Sequence, residues 1–176
     1  MKNENITYKL LEKITDAELE LLNKWDNDPE LVPYIRYSPD KKTLEEKRLF
    51  TKEKFEEQQK DHYLYMVYLG TKAVGTFNFM IDPDVLFKKE PGTGWPGIVI
   101  GEKSAHGRGI GSKIMTFIED ELRKKDIRRI ELGVFEYNEK AIRLYKKCGY
   151  KEIGKIPDFT FWDDKMWQDI RMEKYI

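Results

Sequence analysis

The alternation of apolar and polar positions gives the two halves of the chain different characters. Residues 6–11 alternate as a strand does, and Thr15-Asp16-Ala17-Glu18 then has the form of a capping box. That box opens an apolar-periodic segment through Leu19, Leu22 and Trp25, which ends near Asp28-Pro29. Thr43-Leu44-Glu45-Glu46 is a second box. It predicts a helix to about Lys60, exposed on most of its circumference because Glu and Lys alternate along it. Residues 63–69 and 73–81 are two β-rich runs around Gly70-Thr71-Lys72, the pattern of a β-hairpin. Residues 82–96, with Pro83, Pro91, Gly92 and Gly94 ahead of Trp95, predict a long mobile loop.

From residue 97 the pattern changes. Residues 97–101 form a short apolar strand, 104–111 a glycine-rich turn, and 112–125 an amphipathic helix. Ile110, Ile114, Phe117, Ile118 and Leu122 fall on one face of that helix. A strand over 129–135 leads to a helix over 138–147, capped by Asn138 and closed by Gly149. Residues 150–156 and 167–173 read as two closing strands. Hairpins followed by strand–helix alternation predict an α+β fold built on a mixed α/β sheet. No repeat or linker divides residues 1–176, so one domain is expected, with 1–96 and 97–176 as its two halves.

Composition narrows the class. The chain has 176 residues, and its 32 Lys+Arg balance 32 Asp+Glu to a formal net charge of zero. Charged residues reach 36%, but 40% hydrophobic and 13% aromatic residues are ample for a core and exclude wholesale disorder. Zero net charge argues against a nucleic-acid partner, which would need a basic excess. The longest apolar run, 63–69, is far shorter than the ~20 residues that span a bilayer, so no membrane is expected. The N-terminus lacks the apolar core of a signal peptide and the single Cys148 cannot form an internal disulfide. Both fit a cytoplasmic protein.

The most informative stretch runs from Gly97 to Ser112. A strand delivers the chain to Gly107, Gly109 and Gly111, directly ahead of a long helix. Glycines allow backbone N–H groups to converge on an anion, and the helix N-terminus favours negative charge, so a phosphate or pyrophosphate is the natural ligand. Two nucleotide patterns fit poorly. Gly111 is followed by Ser112-Lys113 rather than Lys-Ser/Thr, and the dinucleotide fingerprint would need a glycine-like residue where Ser112 stands.

His106-x-x-Gly109-x-Gly111 resembles the Q/R-x-x-G-x-G/A pyrophosphate loop of the GNAT superfamily of N-acetyltransferases. Asn138-x-x-Ala141-x-x-x-Tyr145-x-x-x-Gly149-Tyr150 is similar to the second signature of that superfamily, one strand later. The closing Asp169-Ile-Arg-Met172-Glu-Lys is similar to the ending of many bacterial members. Within the superfamily the resemblance is to the branch of ribosomal-protein alanine, polyamine and aminoglycoside acetyltransferases.

This resemblance implies a mostly antiparallel sheet with a splayed parallel pair formed by the fourth and fifth strands. It implies acetyl-CoA as co-substrate, no metal, and a small-molecule or peptide amine as acceptor. Backbone amides of Gly107, Arg108, Gly109, Ile110 and Gly111 would hold the pyrophosphate, with Ser112 adding a contact. Ile98, Val99 and Ile100 would pair with the pantetheine arm as if it were a strand. An N–H near Ile100 would polarise the thioester carbonyl. Asn138 and Ala141 would border the thiol. His106 stands where the family has Gln or Arg, and Arg108 is expected to supply the missing charge. The family's habits admit a homodimer, and nothing in the sequence demands one.

Acyl transfer needs an uncharged amine and a leaving sulfur. With a pKa near 10.4, only about a few alkylamine molecules per ten thousand are uncharged at pH 7. Tyr145 holds the family position of the proton donor to the leaving thiolate. No residue identifies itself as the base; Glu102, Glu136, Asp163, Asp164, His62 and His106 are candidates by type alone. Cys148 lacks the partners of a thiol acyltransferase and reads as a packed thiol. Trp95 and Trp162 sit in loop-like sequence and are candidates for the acceptor cleft, and Trp162-Asp163-Asp164 would set acids beside an aromatic to attract a cationic amine. The competing reading is an acyl-CoA-binding sensor that keeps the fold without catalysis.

Overall fold

A computed structural model describes residues 5–176. Its order is β1 (Ile6–Leu10), α1 (Asp16–Asp26), α2 (Val32–Ile35), α3 (Lys41–Glu45), α4 (Lys52–Gln58), β2 (Tyr63–Leu69), β3 (Lys72–Ile81) and β4 (Thr93–Val99). A 3₁₀ turn (Lys103–Ala105), α5 (Ile110–Lys124), β5 (Arg129–Phe135), α6 (Glu139–Lys147), β6 (Lys151–Trp162) and β7 (Lys165–Tyr175) complete it. The strands form one sheet in the order β1-β2-β3-β4-β5-β7-β6. Only β4 and β5 run parallel. Among the described residues no helix is long and apolar enough to cross a membrane.

Along β5 and β7 alternation sends two different chemistries to the two faces. Ile130, Leu132, Val134, Ile170 and Met172 pack with Ile110, Ile114, Ile118 and Leu122 of α5 in the larger core. Each such aliphatic side chain contributes roughly 1.5–3 kcal/mol by leaving water. The intervening residues Arg129, Glu131, Asp169 and Arg171 are buried as well. Arg129 donates to Glu131 at 2.7 Å, to Glu173 at 2.8 Å and to Thr93 Oγ1 at 2.8 Å. Buried ions need such saturation by partners. On the first half of this second face, α1 and α4 bury Trp25, Phe55, Leu11 and Met66 in a smaller cluster. Trp25 is therefore core.

The first capping box forms as its sequence predicts, with Thr15 and Glu18 capping each other. The second does not. Asp40 caps α3 instead, accepting the Thr43 N–H at 2.7 Å, and the helix stops at Glu45. Partners distant in sequence hold the chain extended over 46–51. Arg36 donates to the carbonyls of Leu44 and Glu46, each at 2.8 Å, and Asn23 pairs with both backbone groups of Phe50 at 2.8 and 2.9 Å. The single long helix over 43–60 is thus two short ones. The loop expected over 82–96 is also shorter, because β4 begins at Thr93. Pro96 is tolerated there because β4 has no β5 partner from Trp95 onward. The closing strands are longer than predicted, at 12 and 11 residues, and β6 passes an irregularity between Ile156 and Thr160 at Pro157.

Candidate active site

β4 and β5 pair only at Thr93↔Arg129 and Gly94↔Ile130. The Arg129–Thr93 hydrogen bond pins this closed end, and beyond it the strands diverge. A cavity of about 1500 Å³ fills the gap, with residues 95–101 on one wall and 133–135 on the other. Ile98, Val99 and Ile100 thus offer a strand edge to it, as the sequence reading expects.

The glycine loop closes one end. Gly107 and Gly109 have φ of +72° and +73°, a left-handed backbone that β-carbons disfavour, and a Cβ on either would meet nothing within 4 Å. Gly109 is the N-cap of the 15-residue α5, so unpaired N–H groups of its first turn open beside the cavity wall. Gly111 has another use: a Cβ there would come within 2.8 Å of Leu144 Cδ2, so its absence lets α5 and α6 close together. Ile110 is buried in the core at the start of α5, and Ser112 lies on the wall. Lys103, Lys140 and Arg143 add positive charge to the lining. Lys103 and Arg143 are paired with Glu30 and Glu139, so the open, left-handed glycine cradle and the helix N-terminus are what fit a pyrophosphate.

His106 lines the cavity and sets a ring nitrogen, Nε2, 2.8 Å from the Ile100 carbonyl. With a proton on Nε2 it ties the loop to the end of β4. Arg108 is exposed and is not among the residues that line the cavity.

Asn138 caps α6, its Oδ1 accepting the Ala141 N–H at 3.2 Å, and this fixes the turn that brings Ala141 and Tyr145 to the wall. Tyr145 is half-buried, and its hydroxyl has no hydrogen-bond partner among the described residues. Burial, with the nearby Cys148 thiol, pushes it up to about 12. It is therefore a protonated phenol at neutral pH, able to donate. Cys148 packs against the core and is absent from the cavity wall.

Trp95 and Trp162 both line the opposite end. Three acids proposed from sequence do not join them. Glu102 is turned away into a cluster with Lys24 at 2.6 Å, Trp25 Nε1 at 3.0 Å and Lys72 at 3.2 Å. The Lys24 and Trp25 hydrogen bonds, with Lys72, hold its carboxyl down at about 2. Asp163 and Asp164 form the exposed tip of the β6–β7 hairpin with φ of +52° and +57°, a tight turn that aspartate tolerates. Glu136 accepts from Gln168 at 2.5 Å, and His62 is exposed beside the Gln58 carbonyl.

Other residues complete this end without having been singled out. Leu31, Pro33 and Tyr34 come from the segment before and within α2, and Phe135 and Tyr137 from the end of β5. The Tyr137 hydroxyl donates to the Pro33 carbonyl and ties the segment after β5 to α2. Asp169 is 3% exposed on β7 and forms an ion pair with Arg171 at 2.7 Å. Its Oδ2 lies 2.5 Å from where a Cβ on Gly133 would be, so the carboxylate takes the space of the missing side chain, close behind the cavity wall that Gly133 lines. Burial raises it to about 6, against the lowering pull of Arg171. Arg171 in turn lies 4.9 Å below the Trp95 ring. The signal in sequence was the run Asp169, Arg171, Glu173 alternating with Ile170 and Met172, charges spaced to share one face of a strand.

The family model for the acetyltransferase (GNAT) family matches residues 15–150. The chain belongs to that family. It is an acetyltransferase, and GNAT proteins of known structure share its whole fold. An N-acetyltransferase from Staphylococcus aureus Mu50 superposes with a TM-score of 0.74 at 18% identity, over 97% of this chain and 98% of that one. The spermidine N-acetyltransferase of Vibrio cholerae, in complex with CoA and spermine, gives 0.74 at 17%, over 98% and 96%. The ribosomal-protein-alanine N-acetyltransferase of Brucella melitensis gives 0.73 at 17%, over 97% and 99%.

Proposed function

We propose that this GNAT protein moves the acetyl group of acetyl-CoA to a primary amine by direct attack, with both substrates bound at once in a cytoplasmic enzyme. The observation that carries the reading is a single cavity that joins the glycine cradle to the aromatic end through the β4–β5 gap. An amine there can meet a thioester without a covalent enzyme intermediate, and the only cysteine lies off the wall. Acetyl-CoA supplies the activated acetyl group when bound. Gly107, Gly109 and the first turn of α5 hold its pyrophosphate, Ile98–Ile100 align its arm, and Asn138 and Ala141 flank its sulfur. Spermine in the Vibrio cholerae structure supports an amine as acceptor.

Two side chains move the protons. Asp169, reached over Gly133, takes one from the ammonium. The freed nitrogen bonds to the acetyl carbon as the carbon–sulfur bond breaks. The second amine proton balances the one that Tyr145 delivers to the leaving sulfur, so the products are an amide, a thiol and one proton carried off through Asp169. The test is thiol release from acetyl-CoA with a panel of amines. Turnover that falls in Tyr145→Phe while acetyl-CoA affinity stays is the expected result; binding without release on every amine would make the protein a sensor.

A further inference from the structure

Arg171 is buried in the middle of β7, and the residue paired with it on either side is a glycine, Gly133 in β5 and Gly154 in β6. Residues opposite one another in antiparallel strands share a face, so two missing side chains leave a trough around the guanidinium. Both gaps are filled from elsewhere. A Cβ on Gly133 would lie 2.5 Å from Asp169 Oδ2, and one on Gly154 would lie 2.5 Å from Phe87 Cζ, in the 82–92 connection. Nη1 of Arg171 donates to the Val85 carbonyl of that connection at 2.8 Å, and Nε meets Asp169 Oδ2 at 2.7 Å. The guanidinium carbon lies 4.9 Å from the centre of the Trp95 ring and 5.6 Å from that of Phe159.

Charge alone does not account for this arrangement. A lysine, as a compact point charge, would serve to neutralise Asp169. The planar fork of an arginine is needed where one group must hydrogen-bond along its edge and carry an aromatic ring on its face. Arg171 is not among the residues that line the cavity, whereas Trp95 is, and Trp95 is only half-buried. A ring on the wall of an open cavity turns about its side-chain torsions unless something outside the cavity holds it, and each alternative reshapes the wall. Arg171, itself fixed by Val85 and Asp169, is placed to hold it.

Resting on the acetyltransferase reading, we propose that Arg171 is a positioning residue for the amine acceptor. It touches neither substrate and acts through Trp95, whose plane in the cavity wall it fixes.

The experiment assays thiol release with spermidine, kanamycin and an alanine-terminated peptide, and carries forward the amine with the highest kcat/KM. Arg171→Lys keeps a cation for the buried Asp169 and removes the stacking plane and the bond to Val85. The amine KM should rise about three- to tenfold, with kcat and the acetyl-CoA Kd within about twofold of the parent. Trp95→Leu should raise KM at least as far. Adding Arg171→Lys to Trp95→Leu should then change KM by less than about twofold, because the ring through which Arg171 acts is gone. An arginine that serves only the fold gives another pattern, a lower Tm and the same KM factor in both backgrounds. That pattern, or an unchanged KM in Arg171→Lys, overturns the proposal and leaves the acetyltransferase standing. Where Arg171→Lys does not fold, the Arg171 Nε–H resonance of the parent carries the test. It should show a ring-current shift that Trp95→Leu abolishes and that moves on titration with the chosen amine; indifference to either overturns the proposal. Acetyl-CoA binding with no thiol released on any of the three amines would overturn both readings.

Discussion

The two ends of the cavity are built by opposite means. The end proposed for the cofactor is made of backbone: left-handed glycines, the first turn of α5 and a strand edge, all within residues 97–112. The end proposed for the acceptor is made of side chains gathered from the segments 31–35, 95, 133–137 and 162. The first can be carried by a short motif and transplanted between sequences. The second exists only once the whole sheet has formed. A backbone cradle accepts one ligand chemistry, whereas side chains from four segments can be changed one at a time. That difference separates the fixed half of the reaction from the adjustable half.

The sharpest way to break the comparison is at the chemistry where the two ends meet. Tyr145→Phe removes one oxygen that has no partner within the described residues, so the fold should be untouched. A lost proton donor costs roughly 10²–10⁴ in kcat. An unchanged kcat would show that the leaving sulfur needs no protein donor. The acetyl-CoA Kd should not move, because the ring keeps its packing against the core.

Asp169→Asn probes the other side with a smaller expected loss, about 10² in kcat/KM. Its distinguishing readout is pH. The carboxyl titrates at about 6 instead of its ordinary 3.8, so a base at this position gives kcat/KM that rises with pH through about 6. Asn should abolish that limb. The sign of the linkage separates this from acid unfolding. Because the folded value is raised, the stability Asp169 contributes is complete below about 3.8 and is lost as pH rises through about 6. Between pH 6 and 4, then, activity should fall while this group favours the fold. A low-pH limb retained in Asp169→Asn would move the base elsewhere.

Much of the geometry of the glycine-loop end was legible because its determinants are local. The glycine spacing, the Asn138 cap and the α5 stripe each lie within one element or its immediate flank. The acceptor end was legible only in part. Trp95 and Trp162 could be picked as aromatics in loop-like sequence, but nothing near residue 34 announces that Pro33 will meet Tyr137, 104 positions away. The three misjudged acids fail for the same reason. Glu102 is claimed by Lys24 and Trp25, which lie 78 and 77 positions away, and Asp163 and Asp164 serve turn geometry. The break in the 43–60 helix was likewise decided by Arg36, Asn23 and Asn27, while the charge alternation that suggested a helix is indifferent to it.

A milder perturbation of the backbone-built end is Gly109→Ala. The left-handed φ of +73° costs an alanine roughly 1–2 kcal/mol, and relief of that strain would rotate the N–H groups of the cradle. Acetyl-CoA affinity should weaken about tenfold, the equivalent of ~1.4 kcal/mol. The KM for the amine should be unaffected, since Gly109 lies at the far end from Tyr34 and Trp162. A coupled loss of both would mean that the two ends are not independent.

The smallest expected effect comes from the acceptor half's scaffold. Asn23 uses one amide to satisfy the N–H and C=O of Phe50, 27 positions away, and so holds the extended 46–51 segment against α1. Asn23→Ala removes the two neutral hydrogen bonds to Phe50 and a longer one to the Leu19 carbonyl, at a half-buried position that water can partly reclaim, so the net cost is about 1 kcal/mol. For a chain of this size that lowers Tm by roughly 2–4 °C. The acetyl-CoA Kd should stay constant, because neither Asn23 nor Phe50 is among the residues that line the cavity. If cofactor affinity fell along with Tm, the backbone-built end would depend on the side-chain-built half after all, and the modular picture would have to be replaced by one cooperative site.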